Sequence, residues 1–432
     1  MRFARFLPLM LAFTVRLFSA DAPPPAEAWN WHWQATALSE EHGGFTSPYT
    51  GQHSLSPNPE FDTSVTTTLF LGAALWPGAQ VYADPEVTGG SGLSGTQGVA
   101  GVLNAETAHV SAAAPQFNLA RAFVQQVVPL GQGTEAVASD QNQLAGSQPA
   151  DRLTVVAGKF SLADYFDANP YAHDPRTQFF NGGFVANVAW DYAADTKGYT
   201  WGLLTELRAG DWSLRAATAL EPVEANGPVL DRDWSRSQGD NAELEWRHTA
   251  GGGGALRLLA YRNLADMGSY ADALRAGGIP DVSISRQERV KFGYGLNADQ
   301  ALGANGGCFI RLGWNDGQTE TWAYTEADAT ATLGLQWKGA AWGRGRDQFG
   351  LAAQVNGLSN DHRGYLAAGG SGFLLGDGAL NYGPEEIAEA YYSAGLWEWL
   401  TVTPDLQGVQ NPGYNRDRGP LLVGGLRVHA EF

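Results

Sequence analysis

One short stretch of the chain gathers most of the side chains that could bind a polar solute. Asp164, Tyr165, Phe166, Asp167, Tyr171, His173, Asp174 and Arg176 all fall within residues 164–176. Carboxylates, imidazole and guanidinium exchange hydrogen bonds with hydroxyl groups, and aromatic rings stack on the apolar faces of pyranose rings. That mixture suits weak, reversible recognition of a polar solute. A plainer reading stands beside it: Asp167, Asn169 and Pro170 could simply shape turns by capping backbone amides. The rigid five-donor fork of Arg176 fits that alternative least well.

Other chemistry has little support. The eight histidines show no metal-ligand spacing, so no metal and no cofactor are expected. No serine sits in a nucleophile elbow. Glu385 and Glu386 are adjacent, so on a strand they face opposite sides and make a poor glycosidase pair. Residues 90–95, GSGLSG, match a dinucleotide glycine pattern, but no amphipathic helix follows. The single cysteine, Cys308, cannot form an internal disulfide. No enzymatic activity is expected.

The elements that must position these groups are strands. Counting back by twos from the end gives Phe432, Ala430, Val428, Leu426, Gly424 and Leu422, all apolar. Glu431, His429 and Arg427 lie between them, so one face is oily and the other wet. The pattern recurs. Thr67, Leu69, Leu71, Ala73 and Leu75 share a face; Trp201, Leu203 and Leu207 oppose Thr200, Glu206 and Arg208. Val290, Phe292, Tyr294 and Leu296 oppose Arg289 and Lys291, and Cys308, Ile310, Leu312 and Trp314 oppose Arg311. Tyr199, Trp314 and Trp337 each end an apolar face, as an interfacial aromatic girdle requires. The polar faces carry full charges of both signs, which a packed core could not hold unpaired but a water-filled lumen can. Lumen arginines such as Arg208, Arg215, Arg247 and Arg311 then balance wall carboxylates such as Glu206, Glu243 and Glu245.

The bulk numbers agree. After the N-terminus no stretch approaches the ~20 apolar residues of a membrane helix. Mean hydropathy is −0.23 while 44% of residues are hydrophobic, and 55 are Gly. Alternating strands produce this combination, because windows average the pattern away. A net charge of −18 excludes nucleic acid as a partner. Residues 1–20 have the layout of a secretory signal: Arg2 and Arg5, an apolar run, then Ser19-Ala20, with Ala22 as the alternative cleavage point. Residues 21–432 read as one domain, with 21–64 an N-terminal, periplasmic lead-in and 65–432 the barrel. Long polar connections (221–239, 263–288, 315–330 and 357–384) alternate with tight turns such as Ala209-Gly210-Asp211. The fold class is therefore all-β: a transmembrane antiparallel β-barrel with long extracellular loops and short periplasmic turns.

Several segments resemble the carbohydrate-selective outer-membrane porin family of the OprB type. They include PYTGQHSL at 48–55, LFLGAALWPGAQVYADPEVTGGSGLSGTQG at 69–98 and NLARAFVQQVVPLG at 118–131. The longest is DRLTVVAGKFSLADYFDANPYAHDPRTQFFN at 151–181, and the last is TPDLQGVQNPGYNRDRGPLLVGGLRVHAEF at 403–432. Together with AWDYAADTKGY at 189–199 they fall in family order over roughly half of the mature chain. The resemblance implies about sixteen strands and passive, carbohydrate-selective diffusion of mono- and oligosaccharides into the periplasm. It implies a Gram-negative outer-membrane location, with lipid and lipopolysaccharide around the wall. It also implies recognition of the Phe432 strand by the barrel-assembly machinery. In porins a long connection folds inward as a constriction, which makes residues 164–176 the expected eyelet, with Glu86 and Arg121 as second-rank candidates. Two departures bear on sugar preference: Asp84 where the family usually shows Asn, and Gly182-Gly183 in place of a bulkier pair. Monomer and homo-oligomer stay open. So do a plugged structural or adhesive barrel and, further off, a barrel enzyme.

Overall fold

The computed structural model describes residues 24–109 and 112–432; the signal segment 1–20 lies outside them. Among the described residues eighteen strands occur in chain order. The first nine are β1 (Trp29–His42), β2 (Glu60–Trp76), β3 (Ala79–Gly90), β4 (Gln116–Pro129), β5 (Thr134–Val137), β6 (Gly146–Pro149), β7 (Arg152–Phe160), β8 (Thr200–Ala209) and β9 (Trp212–Ala219). The rest are β10 (Gln238–His248), β11 (Gly254–Met267), β12 (Gln287–Leu302), β13 (Gly306–Asn315), β14 (Ala329–Lys338), β15 (Gln348–Gly357), β16 (Glu385–Trp397), β17 (Leu400–Gln410) and β18 (Leu421–Glu431). All but β5 and β6 join one closed antiparallel barrel of sixteen strands, and β5 and β6 pair only with each other. Closure abolishes free sheet edges, which an apolar surrounding cannot hydrogen-bond.

The period-two pattern sets which face is which. Val428, Leu426 and Leu422 are exposed on the outer wall, whereas Arg427, His429 and Val423 are buried inside. On β13, Ile310, Leu312 and Trp314 point outward and Phe309 and Arg311 inward, so Cys308 shares the outer face. The ends of the sheet meet with Ala35 opposite Ala430 and Ala37 opposite Val428. At this rim Phe432 stacks between Trp33, at 5.7 Å, and Trp399, at 5.5 Å. The Phe432 amide donates to the Trp33 carbonyl at 2.9 Å.

Three expectations need correction. Residues 21–64 are not a lead-in: β1 and the start of β2 lie within them, and β1 pairs with both β2 and β18. Its outward positions are Trp, Ala and Ser rather than Leu and Val, which hides the alternation. Tyr199 is not a girdle residue. The strand begins at Thr200, and Tyr199 is buried inside beneath Arg121. Finally, the connections at the Phe432 rim are not all short. Residues 130–151 join β4 to β7 there and carry the β5–β6 hairpin.

The lumen is lined by charges and partly filled by loops from the opposite rim. Arg215 pairs with Glu206 at 2.6 Å and Glu243 at 2.7 Å, and Arg257 with Glu245 at 2.9 Å and Asp299 at 2.6 Å. Arg215 balances wall carboxylates, as expected, and Arg257 does the same. Arg311 differs. It donates to the loop carbonyls of Phe184 and Ala172, both at 2.6 Å, and pairs with Asp167 at 2.8 Å. Residues 161–199 thus hang inside the barrel from a wall arginine, and their Phe166, Trp190 and Tyr192 join the wall residues Phe123, Leu204 and Leu259 in one apolar cluster. Gly183 permits the close approach: a Cβ there would lie 2.0 Å from the Gln354 side chain.

Candidate functional site

A β-bulge on the third and fourth strands decides where the site begins. The register slips at Asp84/Pro85, leaving Ala120 unpaired between Leu119 and Arg121 on β4. An inserted residue swaps the faces of the residues beyond it, so Leu119 looks outward and Arg121 into the lumen. There Arg121 grips Asp164 through two parallel hydrogen bonds, Nε to Oδ2 at 2.7 Å and Nη2 to Oδ1 at 2.5 Å. Its other terminal nitrogen lies 3.5 Å from Asp84. The Asp164 carboxylate also accepts the Ser161 amide, in a reciprocal cap that fixes the start of the loop.

Around this pair lies a cavity of about 840 Å³. Gln34, Phe123 and Gln125 line it from the wall, Asp164, Tyr165, His173, Arg176, Tyr192 and Tyr199 from residues 161–199, and Glu106 and Thr107 from residues 91–115. The rings stand close together. Tyr192 is 4.6 Å from Tyr324, and Tyr199 lies beneath the Arg121 guanidinium at 5.2 Å and near the Lys159 ammonium at 5.6 Å. Burial pushes the Tyr165, Tyr192 and Tyr324 phenols up, so all three stay neutral hydroxyls. Burial, aided by Arg311, pushes the His173 imidazole down and keeps it neutral at pH 7. Its Nδ1 has no hydrogen-bond partner among the described residues. The cavity therefore offers charged forks, neutral hydroxyls and ring faces within one space.

Arg176 is a staple. Only 7% exposed, it donates from Nε to Glu106 at 2.9 Å, from Nη2 to Glu86 at 3.1 Å and from Nη1 to the Thr68 hydroxyl at 3.2 Å. Burial works against its charge, but Glu106 and Glu86 outweigh it and hold the guanidinium ionised. Burial likewise pushes Asp174 up, yet the Arg176 amide and the Thr177 hydroxyl leave it below the ordinary carboxylate range.

Of the nine candidates, Asp164, Tyr165, His173, Asp174, Arg176 and Arg121 come together on the cavity. Three do not reach it. Asp167 is buried behind the loop, accepting from the Asn187 amide and Asn297 and pairing with Arg311. Tyr171 packs its ring against Gly307, where a Cβ would lie 1.9 Å away. Glu86 is 1% exposed and holds Thr68, Asn118 and Arg176 in place. Among the described residues the Asp167 carboxylate caps no amide of its own turn either; it ties the loop to Asn187, Asn297 and Arg311. Sequence reasoning missed Tyr192, Tyr199, Tyr324, Glu106 and residues 140–142. Tyr192 and Tyr199 stand in the AWDYAADTKGY segment and could have been found there; the others carry no local signal.

No group of three or more metal-ligating side chains occurs among the described residues. A closed barrel with an apolar wall, a charged lumen and a loop folded inward has the architecture of an outer-membrane diffusion channel. Residues 52–432 match the family described as carbohydrate-selective porin, OprB family. Among solved structures, Pseudomonas putida OprB at high pH matches with a TM-score of 0.70 at 17% identity, covering 94% of both chains. The Acinetobacter baumannii outer-membrane channel DcaP matches at 0.52 and 9% identity, covering 94% of this chain and 97% of that one. Salmonella typhi OmpF, in complex with daunomycin, matches at 0.50 and 10% identity over the same shares. No curated protein matches. The chain belongs to the carbohydrate-selective porin family. It is a passive channel of the Gram-negative outer membrane; on the expectation that short turns face the periplasm, the Phe432 rim is taken as the periplasmic side.

Proposed function

We propose that this porin admits small neutral sugars, mono- and short oligosaccharides, through an eyelet built on the Arg121–Asp164 pair, with no chemical step. One observation carries the reading. The paired charges sit on a cavity whose other walls are Tyr165, Tyr192 and Tyr199, so hydroxyls find donors and acceptors while ring faces stack on the pyranose. Because Arg121 and Asp164 neutralise each other, the pair presents a strong local dipole with no net charge of its own. Each contact is weak, as release requires. Arg176 and Glu86 position the loop rather than touch solute.

The outer wall, with Leu312, Leu333, Leu351, Leu406 and Leu426 exposed, suits lipid and lipopolysaccharide as neighbours. The C-terminal strand ending on Phe432 suits capture by the barrel-assembly machinery. Swelling of protein-loaded liposomes tests the transport reading. Glucose should enter several-fold faster than gluconate of nearly the same size. Equal rates, or no swelling with either, would overturn it; the second result would mark a plugged structural barrel.

A further inference from the structure

The β5–β6 hairpin enters the lumen from the periplasmic rim, opposite to the loop that carries Asp164. Its tip is a tight turn closed by two backbone hydrogen bonds between Asp140 and Gln143, at 3.0 and 3.1 Å, with Gln141 and Asn142 at the corner. Asn142 has φ +54°, a left-handed conformation that asparagine tolerates better than most residues. These corner residues line the same cavity as Arg121 and Asp164.

The tip is held firmly. Glu27 accepts the Ala145 amide at 2.8 Å and the Ser139 hydroxyl at 2.9 Å. Asn30 donates to the Gln143 carbonyl at 2.8 Å, and the Leu144 amide donates to the Tyr82 hydroxyl at 3.3 Å. At the corner, Gln141 donates to Gln34 at 3.2 Å, and Asn142 Nδ2 donates to Asp84 at 2.9 Å. Asp84 in turn faces Arg121. A polar relay, Asn142–Asp84–Arg121–Asp164, therefore crosses the lumen and ties the two inward segments together. Two atoms on this relay are left over: Asn142 Oδ1 and Asp84 Oδ1 are both buried with no hydrogen-bond partner among the described residues. A buried acceptor without a donor is costly, and a hydroxyl bound there relieves that cost.

We infer that the hairpin corner, Gln141 and Asn142, forms the periplasmic half of the sugar site, with Asn142 Oδ1 accepting a hydrogen bond from a sugar hydroxyl. The inference rests on the sugar-selective reading above and adds a second jaw to it. A passing sugar is held between an extracellular element and a periplasmic one, and it leaves toward the periplasm only after breaking its contact with the hairpin. Asn142 is then a specificity-determining residue, with Asp84 as the residue that orients its amide.

Glucose block of ion current through single channels in planar bilayers, with sugar added to each side in turn, tests this. Asn142→Gly removes the amide while keeping the left-handed corner, and Gln141→Ala leaves the corner residue Asn142 in place. Asn142→Gly should weaken block about tenfold and shorten residence, at wild-type open conductance; Gln141→Ala should weaken it less. Unchanged glucose affinity in both variants, with wild-type block intact, overturns the inference alone. A rise in open conductance with glucose affinity unchanged also overturns it, because the hairpin is then only a brace. Absence of glucose block in the wild type overturns the sugar-selective reading itself, and this inference with it.

Discussion

Arg121, on the barrel wall, and Asp164, on the inward loop, are joined by a bidentate pair at 2.7 and 2.5 Å. The pair exists because a bulge turns Arg121 inward and a reciprocal cap aims the Asp164 carboxylate at it. Both groups are partly exposed, so the contact is worth less than a buried ion pair. Its value lies in planar geometry, which lysine cannot reproduce. Arg121→Ala should weaken glucose block by about tenfold, about 1.4 kcal/mol, with the barrel intact. Arg121→Lys should recover only part of that. Wild-type block in Arg121→Ala, measured by current titration, would remove the pair from the site.

Much of this was legible in the sequence, and the failures have physical causes. Alternation identifies a strand when its outer face is aliphatic, as with Ile310 and Leu312, but β1 presents Trp29, Trp31, Ala35 and Ala37. Period two also gives no stopping point, which is why carrying it one residue back past Thr200 put Tyr199 on the wrong side of the wall. The 164–176 stretch was recognisable by its chemistry. Which of its members face the cavity depends on distant partners, since Asp167 is claimed by Arg311 and Asn297 far along the chain. The hairpin corner was invisible because a polar connection reads alike whether it points into solvent or into the lumen.

Arg176 spans three elements, reaching Glu106, Glu86 and Thr68 at once. Arg176→Ala leaves two buried carboxylates without their cation, a defect on the order of 3–5 kcal/mol. The inward loop should loosen, raising conductance and swelling rates for all solutes alike. A loss of glucose block at unchanged conductance would instead mean that Arg176 touches the sugar.

Cys308 shares the outer wall with Ile310, Leu312 and Trp314. In lipid vesicles a membrane-impermeant maleimide should label it slowly. A Gln125→Cys variant made without Cys308 should label fast, since Gln125 lines the cavity. Fast labelling of Cys308 would put the β13 register one residue out.

Phe432 closes a stack of three rings with Trp33 and Trp399 where the first and last strands meet. Deleting it should lower the outer-membrane level several-fold, and Phe432→Tyr should restore most of it. Normal levels of folded barrel in the deletion, judged by heat-modifiable migration on gels, would count against a role in assembly.

Titrating the single-channel current of the wild-type protein with glucose tests the central claim most directly. If the Arg121–Asp164 eyelet binds sugar, current falls along a saturable curve, and glycerol at equal viscosity has only a small, linear effect. A linear fall with glucose that glycerol reproduces would contradict the claim, leaving a pore that passes sugars by size alone.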